Sequence, residues 1–119
     1  INKGGSIVFI SSIATSRARI GNSLYSAAKG GVNSFAKCLA LELANQRITV
    51  NCIQPGFVKS NMLVDGAISQ AQIDEFLKNY PLGMGDPQDI ALACVYFLSD
   101  AAKWVTGSVL NADGGGTLK

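Results

Sequence analysis

Tyr25 and Lys29 stand four residues apart in a stretch with helical spacing, so their side chains share one face. A charged lysine beside a phenol favours tyrosinate over tyrosine, which fits a tyrosine to give and take a proton. Ser12 follows a short β-branched run, Ser6-Ile7-Val8-Phe9-Ile10, and Pro55-Gly56 follows a second, Ile48–Ile53. In an open α/β sheet ligands bind outside the carboxyl ends of the strands, so these segments meet at one rim. There Ser12 could hydrogen-bond a substrate oxygen beside the phenol. Each feature alone has a plainer explanation. A Tyr-x-x-x-Lys pair is commonly a solvated helix face, a strand-end serine bonds its own backbone, and Pro-Gly is a turn. Their combination and spacing point to chemistry.

Other chemistries are excluded by what is missing. None of the 119 residues is histidine. No Ser-His-Asp or Cys-His relay can be assembled, and no His-ligated zinc or haem, so no metal site is expected. Cys38, Cys52 and Cys94 lie far apart and form no CxxC pair. Such spacing suits buried thiols in a reducing, cytoplasmic compartment better than a disulfide frame. Net charge is +2 with lysine and arginine scattered, which argues against a nucleic-acid partner. The longest apolar run, Ala91–Leu98, is too short to span a bilayer, so no membrane association is expected. Charged residues make up 15% of the chain, below the roughly 25% of soluble domains. Thirteen glycines and 48% hydrophobic residues read as a buried α/β unit with tight turns, or as part of something larger. The start at Ile1 rather than Met is a first hint of truncation.

The elements that must position these residues follow from periodicity. Ser6–Ile10 reads as a strand buried on both faces, and Ile13–Gly21 as a loop carrying Arg17 and Arg19. Ala28, Val32, Phe35, Leu39 and Leu43 give a helix from about Leu24 to Asn45, with Asn22 or Ser23 as its cap. Gly30-Gly31 inside it costs about 1 kcal/mol per residue relative to alanine, which predicts a close approach there. Ile48–Ile53 is a second strand. Ser69 with Gln72 makes a capping box for a short helix ending near Tyr80-Pro81. Asp86-Pro87 with Asp89 starts another, and a last strand spans Ser108–Asn111. Strands alternating with helices imply a parallel sheet with right-handed crossovers. Three strands make a thin, doubly wound sheet with an exposed apolar edge, which reads as half a fold. Arg17 and Arg19 near the rim read first as solvated loop charges, and an anion contact is the alternative. Trp104 and Tyr96 are expected in the core or at a subunit contact, and Met62 and Met84 beside an apolar pocket.

The sequence resembles the classical short-chain dehydrogenase/reductases. The stretches that carry the resemblance are Gly5-Ser6-Ile7-Val8 into Ile10-Ser11-Ser12, and Tyr25-Ser26-Ala27-Ala28-Lys29-Gly30-Gly31. Ile48-Thr49-Val50-Asn51 with Pro55-Gly56-Phe57-Val58, then Asp86-Pro87-Gln88-Asp89-Ile90-Ala91, Thr106-Gly107 and Asp113-Gly114-Gly115 continue it in order. The resemblance implies a Rossmann-like α/β fold and a nicotinamide cofactor, NAD or NADP. It implies Tyr25 as acid/base, Ser12 orienting the substrate carbonyl, and Lys29 holding the ribose hydroxyls and tuning the tyrosine. Pro55, Gly56 and the backbone at Val58 would fix the nicotinamide ring. Ser60 stands where the family usually has threonine bonding the carboxamide, and residues 61–84 match the substrate lid.

The family's glycine-rich phosphate turn, its Asn-Asn-Ala-Gly motif and its catalytic asparagine are not in these residues. Residues 1–119 therefore match the C-terminal catalytic part of one NAD(P)-binding domain, and alone they are not expected to turn over. The implied substrate is a small carbonyl or alcohol, a 3-oxoacyl thioester first and a sugar or polyol next. The alternative is a non-catalytic fragment or scaffold that supplies only oligomer contacts. The resemblance also implies a homodimer or homotetramer packed through the long helix and the last helix and strand. Ser26, Gly30, Ser34 and Ala40 give the long helix small residues on faces expected to be exposed.

Overall fold

Alternating branched residues in Thr49-Val50-Asn51-Cys52-Ile53 put one set of side chains on each face of a strand. The computed structural model, which describes residues 3–60 and 68–118, makes that strand the centre of the sheet. In chain order the elements are β1 (Ser6–Ile10), α1 (Ser23–Leu43), β2 (Thr49–Pro55), α2 (Gln70–Leu77), α3 (Pro87–Leu98) and β3 (Val109–Ala112). The sheet runs β1-β2-β3 with both pairings parallel, Ser6 opposite Thr49 and Cys52 opposite Val109. This is the expected α/β arrangement, with strand ends shifted by one or two residues.

The two faces of β2 build two half-cores. Val50 and Cys52 pack with Ala36 and Ala40 of α1, joined by Ile7, Phe9 and Val109. Ile53 packs on the other side with Phe97 of α3 and Ala102, joined by Val8, Cys94 and Val105. Burying each large aliphatic side chain contributes about 1.5–3 kcal/mol, so the central strand anchors the described fold. Burial also raises the Cys52 thiol pKa, opposed by the charge of Lys37, and the residue serves as a small apolar filler. All three cysteines are free thiols, but Cys38 is exposed on α1 and only Cys52 is fully buried.

Polar groups on β2 are paired. Asn51 is fully buried, donating to the Val105 carbonyl at 2.8 Å and accepting from the Ser108 N–H at 3.0 Å. The Thr106 hydroxyl accepts from the Val50 N–H at 3.0 Å, and Gly107 donates to the Val50 carbonyl at 2.7 Å. These contacts steer the chain into β3.

Several sequence expectations are corrected. β1 is half-buried rather than buried on both faces, because it is the edge strand among the described residues, and Ile10 is exposed. A side-chain carbon at Gly30 or Gly31 would meet nothing within 4 Å, so no described residue supplies the expected close approach. Ala40 is buried against β2 rather than exposed, because its position on α1 turns toward the sheet. Trp104 lies almost fully exposed, which excludes the core of the two places expected for it. Asn22 is the α1 N-cap residue, but its side chain makes no capping bond. The Ser69–Gln72 capping box forms, and its helix ends at Leu77. Asp89 accepts from the Asp86 N–H at 2.8 Å, starting α3 as expected. Met62 and residues 61–67 of the expected lid lie outside the described residues.

Candidate active site

Ser12 sits where β1 ends, in extended conformation, capping a short 3₁₀ turn over Ile13–Thr15. Its Oγ accepts from the Ala14 N–H at 3.1 Å, which fixes the oxygen and leaves the O–H free to donate. Two neighbouring hydroxyls tie this turn to the start of α1. Ser11 Oγ donates to the Lys29 carbonyl at 3.2 Å, and Ser26 Oγ donates to the Ala14 carbonyl at 2.9 Å. The segment that carries Ser12 and the helix that carries Tyr25 and Lys29 are thus fastened directly to each other.

Tyr25, in the first turn of α1, is half exposed, and its hydroxyl has no hydrogen-bond partner among the described residues. Lys29 Nζ donates to the Ile10 carbonyl at 3.0 Å and lies 5.9 Å from the centre of the Tyr25 ring. Ser12, Tyr25, Pro55 and Gly56 all line one cleft of about 480 Å³. Lys29 stands beside this cleft rather than in its lining. Val58 borders a second cavity of about 420 Å³, together with Met84 and Asp113. Ser60 is exposed and lines neither cavity.

Gly56 is where the strand end must be bare. A Cβ there would lie 2.8 Å from Tyr80 Cε1 and 2.9 Å from the Asp113 Cα, closer than carbon atoms pack. The same ring presses on Gly116, so Tyr80 is clamped between two glycines. Beyond Gly56 the chain makes one parallel bridge, Val58 to Gly85. Phe57 O and Lys59 N make its hydrogen bonds, at 3.0 and 2.9 Å. Val58's own N–H and C=O have no partner among the described residues.

The opposite wall comes from α2 and the turn after it. Glu75, Phe76, Asn79 and Tyr80 line the cleft there, with Phe57 between the walls, 5.2 Å from Phe76 and 6.2 Å from Tyr80. Arg17 and Arg19 complete the lining. Burial raises the Tyr80 pKa, while the charges of Arg17 and Arg19 oppose that rise. Burial alone would also raise the Asp113 pKa, but hydrogen bonds from Thr117 and Gly115 outweigh it and hold the carboxyl below its ordinary value.

A family model described as enoyl-(acyl carrier protein) reductase matches residues 1–117. A solved short-chain type dehydrogenase/reductase from Mycobacterium ulcerans superimposes with TM-score 0.91 at 35% identity, covering 98% of this chain and 43% of that one. The chain belongs to the short-chain dehydrogenase/reductase family. A curated relative, the 3-oxoacyl-[acyl-carrier-protein] reductase FabG of Chlamydia muridarum, is 41% identical over 114 residues, 95% of this chain and 45% of its own length. The crystal structure of the angucycline C-6 ketoreductase LanV with bound NADP gives TM-score 0.91 at 27% identity, covering 99% of this chain and 46% of that one. The chain therefore spans less than half the length of these short-chain dehydrogenase/reductases.

Some groups around the site of this short-chain dehydrogenase/reductase chain were not read from sequence. Gln54, buried just before Pro55, accepts from Thr15 Oγ1 and from Asn33 Nδ2 (2.7 Å), and donates to Asn111 Oδ1 at 2.6 Å. It links the Ser12 turn, α1 and β3. A polar residue in an apolar strand, and an asparagine between Val32 and Ala36 on the buried side of α1, were the available signals. Asn33 Oδ1 has no hydrogen-bond partner among the described residues. Tyr80 gave no sequence signal beyond its place before Pro81.

Proposed function

We propose that the protein carrying this chain is an NAD- or NADP-dependent oxidoreductase that interconverts a small carbonyl and its alcohol, with Tyr25 as the acid/base. The observation that carries this reading is the convergence of Ser12 and Tyr25 with Pro55-Gly56 on one cleft. The nicotinamide, when bound, supplies or accepts the hydride. In the reducing direction the Ser12 O–H bonds the carbonyl oxygen and holds it beside the phenol. Tyr25 donates its proton to that oxygen as negative charge develops there. The ammonium of Lys29, anchored on the Ile10 carbonyl, stabilises the phenolate left behind. In the oxidising direction the same groups run in reverse.

The donor set suits a nicotinamide. Pro55 and Gly56 provide a bare strand end, and the N–H and C=O of Val58, without a partner among the described residues, suit the oxygen and the amide of a carboxamide. Ser60 would add a hydroxyl and Lys29 would reach the ribose. Residues 1–119 are read as the C-terminal catalytic part of the domain, 61–84 as the substrate lid, and the missing half as the holder of pyrophosphate and adenosine. Similarity to the 3-oxoacyl-[acyl-carrier-protein] reductase supports a 3-oxoacyl thioester as substrate. Exposed Phe35, Leu92 and Val95 on α1 and α3 support assembly as a homodimer or homotetramer. In the full-length protein, Tyr25→Phe should slow NAD(P)H oxidation with a 3-oxoacyl thioester by about 10³-fold while cofactor still binds. An unchanged rate would end the mechanism. Turnover by residues 1–119 alone would overturn the half-domain reading.

A further inference from the structure

We propose that Arg17 and Arg19 form an anion-recognition end of the cleft, selecting carbonyl or alcohol substrates that carry a carboxylate or phosphate. The inference rests on the cleft being the substrate site, and it names the class of substrate. Arg17 is half-buried, and its Nη1 donates to the Gly116 carbonyl at 2.5 Å. Arginine has five N–H donors in a planar fork, so one bond to a fixed carbonyl orients the rest without using them up. The Gly116 carbonyl is itself fixed, because the backbone there packs directly on the Tyr80 ring. The Arg19 guanidinium lies 4.4 Å over the centre of the Phe76 ring, which holds its plane and leaves its edge donors open.

The nearby carboxylates are already engaged. Glu75, in the same cleft, pairs with Lys78 at 2.8 Å. Asp113 accepts from Gly115 and Thr117. Among the described residues no carboxylate lies within 4 Å of either arginine. Arg17 is half-buried and Arg19 exposed, but both line the cleft of Ser12 and Tyr25, one oriented by a carbonyl and the other by a ring. Two like charges in one cleft repel, and an anion between them relieves that repulsion with charge-assisted, bidentate hydrogen bonds.

The test uses the full-length protein and two substrate pairs. Acetoacetate against methyl acetoacetate isolates a carboxylate, and the acetoacetyl thioester of 4′-phosphopantetheine against that of pantetheine isolates phosphate. The charged member of one pair should be preferred about tenfold or more in kcat/KM, mainly through KM. Arg19→Met and Arg17→Met should collapse that ratio, and Arg19→Lys should keep part of it. Lys103→Gln, which removes an exposed charge outside the cleft, should leave it unchanged. If Arg17→Met fails to fold for loss of its Gly116 bond, Arg19→Met still decides. Equal kcat/KM within both pairs, or a preference that survives Arg19→Met, overturns the anion site while leaving the oxidoreductase reading intact. Calorimetric titration with acetoacetate and with 4′-phosphopantetheine reads the site without turnover. Binding of either that depends on Arg19, with no substrate turned over, keeps the anion site and sinks the oxidoreductase reading. Absence of both binding and preference overturns the proposal.

Discussion

The two walls of the cleft are built differently. The Ser12–Tyr25 wall stands on the ends of β1 and β2, with β2 buried from Thr49 to Gln54. Its parts are fastened across elements by Ser11 to Lys29, Ser26 to Ala14, and Gln54 to Thr15, Asn33 and Asn111. The Phe76–Tyr80 wall rests on α2, which has no buried residue and leans on Phe57 through aromatic contacts. Groups that move protons must be held within about 0.5 Å, whereas a wall that only shapes the substrate tolerates more play. In the proposed enzyme, damage to the first wall should appear in kcat and in folding, and damage to the second in KM.

The largest effect tests that division at its centre. Tyr25→Phe in the full-length protein should lower kcat by about 10³-fold, within the range for losing a positioned acid/base, with cofactor affinity retained. If Phe76→Ala lowers kcat more than Tyr25→Phe does, the roles of the walls are reversed. Gly56→Ala comes next. Its methyl would press on the Asp113 backbone and the Tyr80 ring at 2.8–2.9 Å, and the backbone cannot yield cheaply. Overpacking of this kind costs about 1–3 kcal/mol, seen as a lower midpoint in urea unfolding. A midpoint unchanged from wild type would mean that the Tyr80 ring and the Asp113 backbone both give way.

Gln54→Leu should cost about 1 kcal/mol, because it takes a partner from the half-buried Asn33 amide, while exposed Asn111 can turn to water. It should also lower kcat, since Thr15 and the Ser12 turn lose their anchor. Phe76→Ala should cost less in stability than Gln54→Leu and raise KM more than it lowers kcat. Comparable losses of stability from Gln54→Leu and Phe76→Ala would erase the contrast between the walls.

Much of the first wall could be read from the sequence, and little of the second. Ser12, Tyr25 and Lys29 stand out because their positions are set by local rules, a strand end and one helical turn. The same locality explains the correct order of strands and helices, and both capped helix starts at Ser69 and Asp86. Ala40 misled because residue type tells which positions are small, not which way the helix turns them. Gln54 and Asn33 meet across 21 residues of sequence, and Tyr80 is fixed by Gly56 and Gly116, so only the fold reveals either arrangement. The arginines were visible as charges, but their orientation by Gly116 and Phe76 was not.

The smallest expected effects lie at the junction of the two walls and have opposite signs in pH. The folded state holds the Asp113 carboxyl below its ordinary pKa, so folding favours the charged form. Its stabilisation is therefore present above the ordinary carboxylate value of about 3.9 and is lost as pH falls through the lower folded value. Tyr80 is raised by burial, so folding favours the neutral phenol. That stabilisation is complete below the ordinary phenol value of about 10 and is lost as pH rises beyond it. Urea unfolding across pH should show Asp113→Asn flattening only the acid limb and Tyr80→Phe only the alkaline limb. Because Arg17 and Arg19 oppose the rise at Tyr80, replacing either with methionine should deepen the alkaline loss and extend it to higher pH, with its onset unchanged. An alkaline loss no deeper than that of wild type would mean that the arginines do not face the Tyr80 hydroxyl, and the second wall would lose its charged rim.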